Sequence, residues 1–469
     1  MEFVNRFHEM AALRELLEQR TPVLVRLYGR RRLGKTEMLR HLCETGGGLY
    51  LHLDEADPPQ IRQSLSLQVA QQLHTMALPY RTWDDVFSHL AQLHPSFVVL
   101  DEFQRLLNAD RQAVTRLQHQ WDSTLRRSGP SLILCGSSVG MMQRLTTRRS
   151  APLFGRLGGD LRLRPFGYAA VRLLYPTEPE AERVRRYAVF GGTPHYHSFS
   201  VGTTLPQAVS RAFLSLTSAL IDEPQSLLRM ELRGPARYNS ILYEIGKGTH
   251  DLRGLESKVE VKKGGLSPYL AVLQDELDLL TKDDPVGGKE RQARYRFGDP
   301  FFRFYYRFIF DSRPRVELGK GSAVWEGIQK ELDGHIGRVF EEVVHQALTL
   351  LNGTDYKGIP IDFERIGRWW NRTGDEIDVV AEGKDTVLVG EVTWSARAMG
   401  VGTLRDLQRK AALIEHLGNR PVRFLLVARS GFDDHVVEEA ARGGGCLLLT
   451  LEDLARVFDE GYARPGPAG

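Results

Sequence analysis

Along the first part of the chain, short apolar runs alternate with stretches whose apolar positions recur at helical spacing. Val23 to Leu27, Leu49 to Leu53, Phe97 to Leu100 and Leu132 to Cys135 are largely apolar without a polar alternation. That is the pattern of strands buried on both faces. Between them, Ile61 to Met76 and Ala113 to Arg126 carry the spacing of amphipathic helices. Strands and helices in this alternation predict an α/β fold with a parallel sheet covered by helices. From about Phe166 to Leu280 the strand pattern disappears and helices dominate. From about Trp325 onward an α/β pattern returns. The expected division is a sheet core at 1–165, a helical segment at 166–225, a mixed segment at 226–312 and a second α/β domain at 325–460.

The first strand runs into Gly29-Arg30-Arg31-Arg32-Leu33-Gly34-Lys35-Thr36, and a helix pattern opens at Thr36. A strand, a loop of the form G-x-x-x-x-G-K-[ST] and a helix predict a phosphate cradle, with Gly29 and Gly34 letting backbone N–H groups wrap a phosphate. Lys35 supplies a positive charge to the β- and γ-phosphates, and the Thr36 hydroxyl is a ligand for Mg²⁺. The buried strand Phe97-Val98-Val99-Leu100 ends in Asp101-Glu102, at the sheet edge where such folds place their chemistry. Asp101 is expected to hold Mg²⁺ and Glu102 to polarise an attacking water, which makes the domain a hydrolase of ATP. Ser137 or Ser138, at the end of the strand Leu132 to Cys135, is expected near the γ-phosphate or that water. That strand is expected to lie between the other two. Arg156, after the turn at Gly155, either completes the phosphate site, in cis or in trans, or bonds a surface acid.

These segments, together with Phe3-Val4-Asn5-Arg6, Phe154-Gly155-Arg156 and Gly192-Thr193-Pro194, resemble the archaeal-type AAA-like ATPases among the signal-transduction ATPases with numerous domains. The resemblance implies a P-loop NTPase fold, ATP and Mg²⁺ as cofactors, and nucleotide contact from the helical lid through Pro194. Asn5 stands where glycine is usual. The middle of the chain resembles the family's winged helix-turn-helix: a helix from Tyr238 to Gly246, a helix from Ser267, its N-cap, through Leu280, and a β-wing over Lys282 to Phe297 with a glycine tip at 287–290. A DNA reader of this kind would turn Lys262 and Lys263 toward phosphates. Gln274-Asp275-Glu276 and Asp278 give the second helix an acidic side that opposes such contact.

In the last domain, Gly383-Lys384-Asp385-Thr386 predicts a hairpin turn between Glu376 to Ala381 and Val387 to Thr393. With Lys384 and Asp385 as the loop, Asp378 falls opposite Glu391. Two opposed carboxylates repel unless a divalent cation or an arginine lies between them. The arrangement resembles the restriction-endonuclease-like fold, which implies a further acid, Glu341, on the preceding helix and matches Trp369-Trp370. Thr393 stands where that fold has lysine, and Lys410 on the following helix is a candidate substitute. Three readings follow: a switch acting on DNA, a regulatory ATPase whose last domain docks protein partners, and an active metal-dependent nuclease.

The chain of 469 residues is 42% hydrophobic and 26% charged, the balance of a globular protein. Its net charge of +3 says little about partners. No apolar run reaches the roughly 18 residues of a membrane span. Three distant cysteines exclude a disulfide framework or zinc site, so a reducing cytoplasm is the expected location, with DNA, a protein partner or a second copy of the chain as partners.

Overall fold

The computed structural model describes residues 5–146, 151–288, 292–418, 420–443 and 445–463. Phe3 and Val4 and most of the glycine tip beyond Gly288 lie outside them. The chain forms two compact units. The first is Met1–Pro165 with Asp275–Asp278, and the second is Phe166–Gln274 with Leu279–Gly469.

The first unit is built on five strands: β1 (Leu24–Tyr28), β2 (Leu49–His52), β3 (Phe97–Asp101), β4 (Ser131–Gly136) and β5 (Gly159–Arg162). All pair in parallel, in the order β2-β3-β4-β1-β5. Both faces are covered, so successive side chains enter different cores. Leu24, Val98, Leu132 and Leu134 pack with the helix Pro58–Leu73, whereas Val25, Val99, Ile133 and Cys135 pack with Met38, Leu39 and Leu42 of the helix Lys35–Gly46. This two-sided burial explains why the strands read as unbroken apolar runs. β5 does not, because it carries Asp160. That carboxylate accepts two hydrogen bonds from Arg26, buried in the middle of β1, at 2.8 and 2.5 Å. The helix expected over Ala113 to Arg126 starts at Arg111 and passes through a widened turn, Trp121–Leu125, before ending at Ser128.

In the second unit, helices run from Tyr168 to Lys258. The helix expected from Ser267 to Leu280 is shorter. It starts at Ser267 without a side-chain cap, widens over Val272–Glu276 and stops. Asp278 has a left-handed φ of 55°, and Leu280 already belongs to a strand. That strand, β6 (Leu280–Asp283), pairs antiparallel with β7 (Arg294–Phe297). A long helix, Gly321–Leu351, leads through the small hairpin β8 (Thr354–Tyr356) and β9 (Ile359–Ile361) to a second five-stranded sheet. Its strands are β10 (Arg365–Trp370), β11 (Glu376–Glu382), β12 (Val387–Thr393), β13 (Val422–Ala428) and β14 (Cys446–Thr450), in that order. The first three are antiparallel and the last three parallel. The β11–β12 ladder pairs Val379 with Gly390 and Glu382 with Val387, and Gly383 N–H donates to the Thr386 carbonyl. Lys384 and Asp385 are therefore the two loop residues, as the sequence required.

The β6–β7 hairpin is not a free wing. Val286 is fully buried and joins Trp369, Ile377 and Val389 in the core of the second sheet. Its N–H donates to the Arg368 carbonyl on the edge strand β10, and Trp370 Nε1 donates to the Gln292 carbonyl. Arg294 stacks on Trp370 and pairs with Glu376 at 2.9 Å, and Arg296 pairs with Asp283 at 3.2 Å. The hairpin covers the open edge of the sheet, and its arginines are neutralised by acids. The hairpin expected over Lys282 to Phe297 is therefore present, and it packs along β10.

Candidate functional site

Two groups of sequence-selected residues come together, one in each unit. In the first, Gly34 caps the helix Lys35–Gly46 with φ +83°, a conformation that favours glycine. A Cβ at Gly29 would lie 2.4 Å from the Leu163 carbonyl, so only glycine lets the loop run this close to its neighbour. Lys35 is buried, and its ammonium donates to the carbonyls of Gly29 (2.8 Å) and Arg30 (2.7 Å). The loop therefore holds the charge over its own mouth.

Thr36 Oγ1 donates to Asp101 Oδ2 over 2.8 Å, and the Tyr50 hydroxyl donates to the same oxygen over 2.5 Å. Asp101 is 1% exposed. Burial alone would raise its carboxyl, but hydrogen bonds from Tyr50, Cys135, Thr36 and the Glu102 N–H hold it below the usual carboxylate value. An ionised carboxylate beside a hydroxyl is a hard-oxygen set that fits Mg²⁺, which usually takes one or two protein oxygens and completes its shell with phosphates and water.

Glu102 adopts a left-handed φ of 58°. Its Oε2 accepts hydrogen bonds from the Ser137 hydroxyl (3.0 Å) and from the Gln104 amide, which also bonds Ser137 Oγ at 2.9 Å. As expected, β4 lies between β1 and β3, which brings Ser137 to Glu102. Arg156 takes the surface-acid alternative in this structure. Its guanidinium grips Asp122, Nε to Oδ1 at 2.9 Å and Nη2 to Oδ2 at 2.8 Å. Pro194 opens the short helix Pro194–His197 in the second unit, after Thr193, whose hydroxyl donates to Asp299 at 3.3 Å.

Sequence reasoning gave Arg6 and Gln104 no role of their own. Arg6 is buried, pairs with Glu9 at 2.7 Å, and donates to the carbonyls of Leu33 (3.1 Å) and Arg164 (2.8 Å), fastening the phosphate loop. In the sequence it stood only as the last residue of the segment Phe3-Val4-Asn5-Arg6 that carries part of the resemblance.

The second group lies on β11, β12 and the helices Gly321–Leu351 and Val401–Ala411. Asp378 and Glu391 follow the register into one cleft of about 380 Å³, also lined by Arg338, Glu341 and Lys410. Burial first, then the neighbouring Glu341 and Glu391, push Asp378 up to about 8. Burial likewise raises Glu391, although Lys410 lies 3.6 Å from its Oε1. Glu391 Oε2 is buried without a hydrogen-bond partner.

The three acids do not converge as a metal cage. Glu341 Oε2 is taken by Arg368 Nε at 3.0 Å, and Arg368 also lies 3.6 Å from Asp283. Among the described residues, no group of three or more His, Cys, Asp or Glu side chains is placed to hold a metal ion. Thr393 ends β12, and Lys410 lines the cleft beside Glu391. Lys262 and Lys263 are exposed in the loop between the helices Leu252–Lys258 and Ser267–Ala271. Asp278, just beyond the end of the second of these helices and its widened turn, pairs with Arg162 at 3.3 Å and Arg164 at 3.7 Å. No helix among the described residues is long and apolar enough to cross a membrane.

An uncharacterized protein of Methanocaldococcus jannaschii is 28% identical over 459 residues, 97% of this chain and 100% of its own. A Walker-type ATPase of Pyrococcus abyssi superposes with a TM-score of 0.52 at 22% identity, covering 65% of this chain and 96% of that one, and so shares its fold. A signal-transduction ATPase with numerous domains and a tetratricopeptide repeat sensor, from Pyrococcus horikoshii, aligns at 14% identity with a TM-score of 0.29, over 75% of this chain and 50% of that one. Residues 305–406 match a family described as "Archaea bacterial proteins of unknown function". Residues 3–196 match the family described as "ATPase domain predominantly from Archaea", so the chain carries an archaeal-type ATPase domain with a P-loop fold.

Proposed function

We propose that this chain is a Mg²⁺-dependent, ATP-hydrolysing switch of the signal-transduction class that acts on DNA. The observation that carries the reading is the Thr36–Asp101 hydrogen bond beside the Lys35 ammonium, three groups of the charge and hardness that a magnesium-bound triphosphate takes. Gly29, Gly34, Lys35 and Thr36 bind the phosphates, with Thr36 and Asp101 holding the metal. Ser137 and, from the lid, Pro194 touch the nucleotide. Glu102 orients the attacking water once Ser137 and Gln104 release it. Arg156 adds positive charge to the transferring phosphate, in cis or from a second copy of the chain, when it leaves Asp122. Lys262 and Lys263 carry phosphate contacts to DNA, and the cytoplasm is the expected location.

The restriction-endonuclease-like reading of the last domain would make Glu341, Asp378 and Glu391 a second divalent-metal site, with Lys410 beside Glu391 as the charge that Thr393 lacks. Because Arg368 takes Glu341 and the three acids do not converge on one point, a degenerate domain that docks partners or binds nucleic acid is favoured over an active nuclease. The ATPase is tested by turnover of the full chain with Mg²⁺, against Lys35→Ala and Glu102→Gln. Cleavage of DNA that is lost in Asp378→Ala/Glu391→Ala would establish the nuclease. Salt-dependent DNA binding that survives the double variant would leave DNA binding without cutting, and no binding at low salt would leave docking.

A further inference from the structure

Thr36 Oγ1 and the Tyr50 hydroxyl both donate to Asp101 Oδ2, at 2.8 and 2.5 Å, and the Glu102 N–H donates to Asp101 Oδ1 at 2.8 Å. Thr36 belongs to the phosphate loop and Glu102 to the acidic strand end. Tyr50 belongs to neither. It sits on β2, the edge strand of the first sheet, which pairs with the strand that ends in Asp101. The tyrosine is itself held in place. Its backbone N–H donates to Gln72 Oε1 at 3.1 Å, and the Gln72 amide donates to its carbonyl at 2.6 Å. One carboxamide from the helix Pro58–Leu73 thus stands in for the neighbour that an edge strand lacks. Arg40, from the helix Lys35–Gly46, lies over the ring, 5.2 Å from its centre. With backbone and ring both fixed, the phenol keeps its aim at Asp101.

A threonine hydroxyl carries one hydrogen and two lone pairs. Its oxygen can face a cation only while that hydrogen points elsewhere, and in Thr36 it points to Asp101 Oδ2. A carboxylate turns about its Cβ–Cγ bond unless its oxygens are held, and a turned Asp101 would leave the Thr36 hydrogen without this acceptor. The Tyr50 hydroxyl holds Oδ2 where Thr36 needs it. We infer that Tyr50 is a positioning residue for Mg²⁺, acting through Asp101 to keep the Thr36 lone pairs open to the ion. The inference rests on the ATP- and Mg²⁺-binding reading of this site and adds a residue that neither of its motifs contains.

The test is titration calorimetry of the full chain with ATP, once in saturating Mg²⁺ and once in a chelator. Tyr50→Phe removes the hydroxyl and keeps the ring. The ratio of the two ATP affinities is expected to fall about tenfold in this variant, the usual loss when a group that orients a metal ligand is removed. Its ATP affinity in chelator is expected to match the wild type. An unchanged ratio would overturn the inference and leave the ATPase reading intact. An equal loss of affinity in both conditions would also overturn it, because the hydroxyl would then shape the phosphate loop and not the metal site. No tightening of ATP binding by Mg²⁺ in the wild type would overturn the reading of the site, and the inference with it.

Discussion

Ser137 donates its hydroxyl hydrogen to Glu102 Oε2 over 3.0 Å, and Gln104 holds the same oxygen. The acid that would polarise water is thus tied back to the next strand. Because Glu102 Oε2 is held by Ser137 and Gln104 here, replacing its carboxylate by an amide should spare nucleotide affinity. Glu102→Gln is expected to bind ATP like the wild type and to lose turnover by about 100-fold or more, the usual share of a general base. Parallel measurement of ATP affinity and steady-state phosphate release checks this. Retained turnover would remove Glu102 from the chemistry.

Asp378 makes stability depend on pH. Burial and its acidic neighbours raise its carboxyl from 3.8 to about 8 in the folded chain, so the folded state holds this proton more tightly than the unfolded state. The stabilisation is complete below the unfolded value and is lost as pH rises through the folded one. Asp378→Asn should therefore melt close to the wild type near about pH 4 and above it by a margin that grows until about pH 8. Melting curves in the presence of a chelator, taken across that range, measure the margin. A difference that does not change with pH would contradict the raised carboxyl.

The β6–β7 hairpin should behave as part of the second sheet's core. Val286 is buried against Trp369 and Ile377. Val286→Ala is expected to destabilise the second unit by about 2 kcal/mol, and Val286→Asp by more, since a carboxylate would enter an apolar cluster. Urea denaturation followed by tryptophan fluorescence reports this, because Trp369 and Trp370 belong to that unit. An unchanged transition in Val286→Asp would mean that the hairpin is free.

The chemistry of the first unit was legible because each part occupies consecutive residues: the Gly29 to Thr36 loop after an apolar strand, and Asp101-Glu102 after another. The opposition of Asp378 and Glu391 was legible for a related reason, since a two-residue turn fixes register and a register fixes faces. What stayed hidden depends on partners distant in the chain. Asp160 gave β5 a polar look because its partner Arg26 lies on another strand. Arg6 fastens Leu33 and Arg164, which no local pattern relates to it. Arg368 takes Glu341 out of the acidic cluster, and Val286 packs the expected hairpin against β10. The helix from Ser267 was read four residues too long, to Leu280 in place of Glu276, because leucines at helical spacing continue into a segment where Asp278 breaks the helix and the strand begins.

The central claim is that Lys35, Thr36 and Asp101 bind a magnesium-bound triphosphate. Titration calorimetry of the full chain with ATP, with and without Mg²⁺, tests it most directly. The account predicts saturable binding that strengthens with Mg²⁺ and is lost in Lys35→Ala. The same heat of binding in Lys35→Ala, or none in the wild type with Mg²⁺ present, would contradict it.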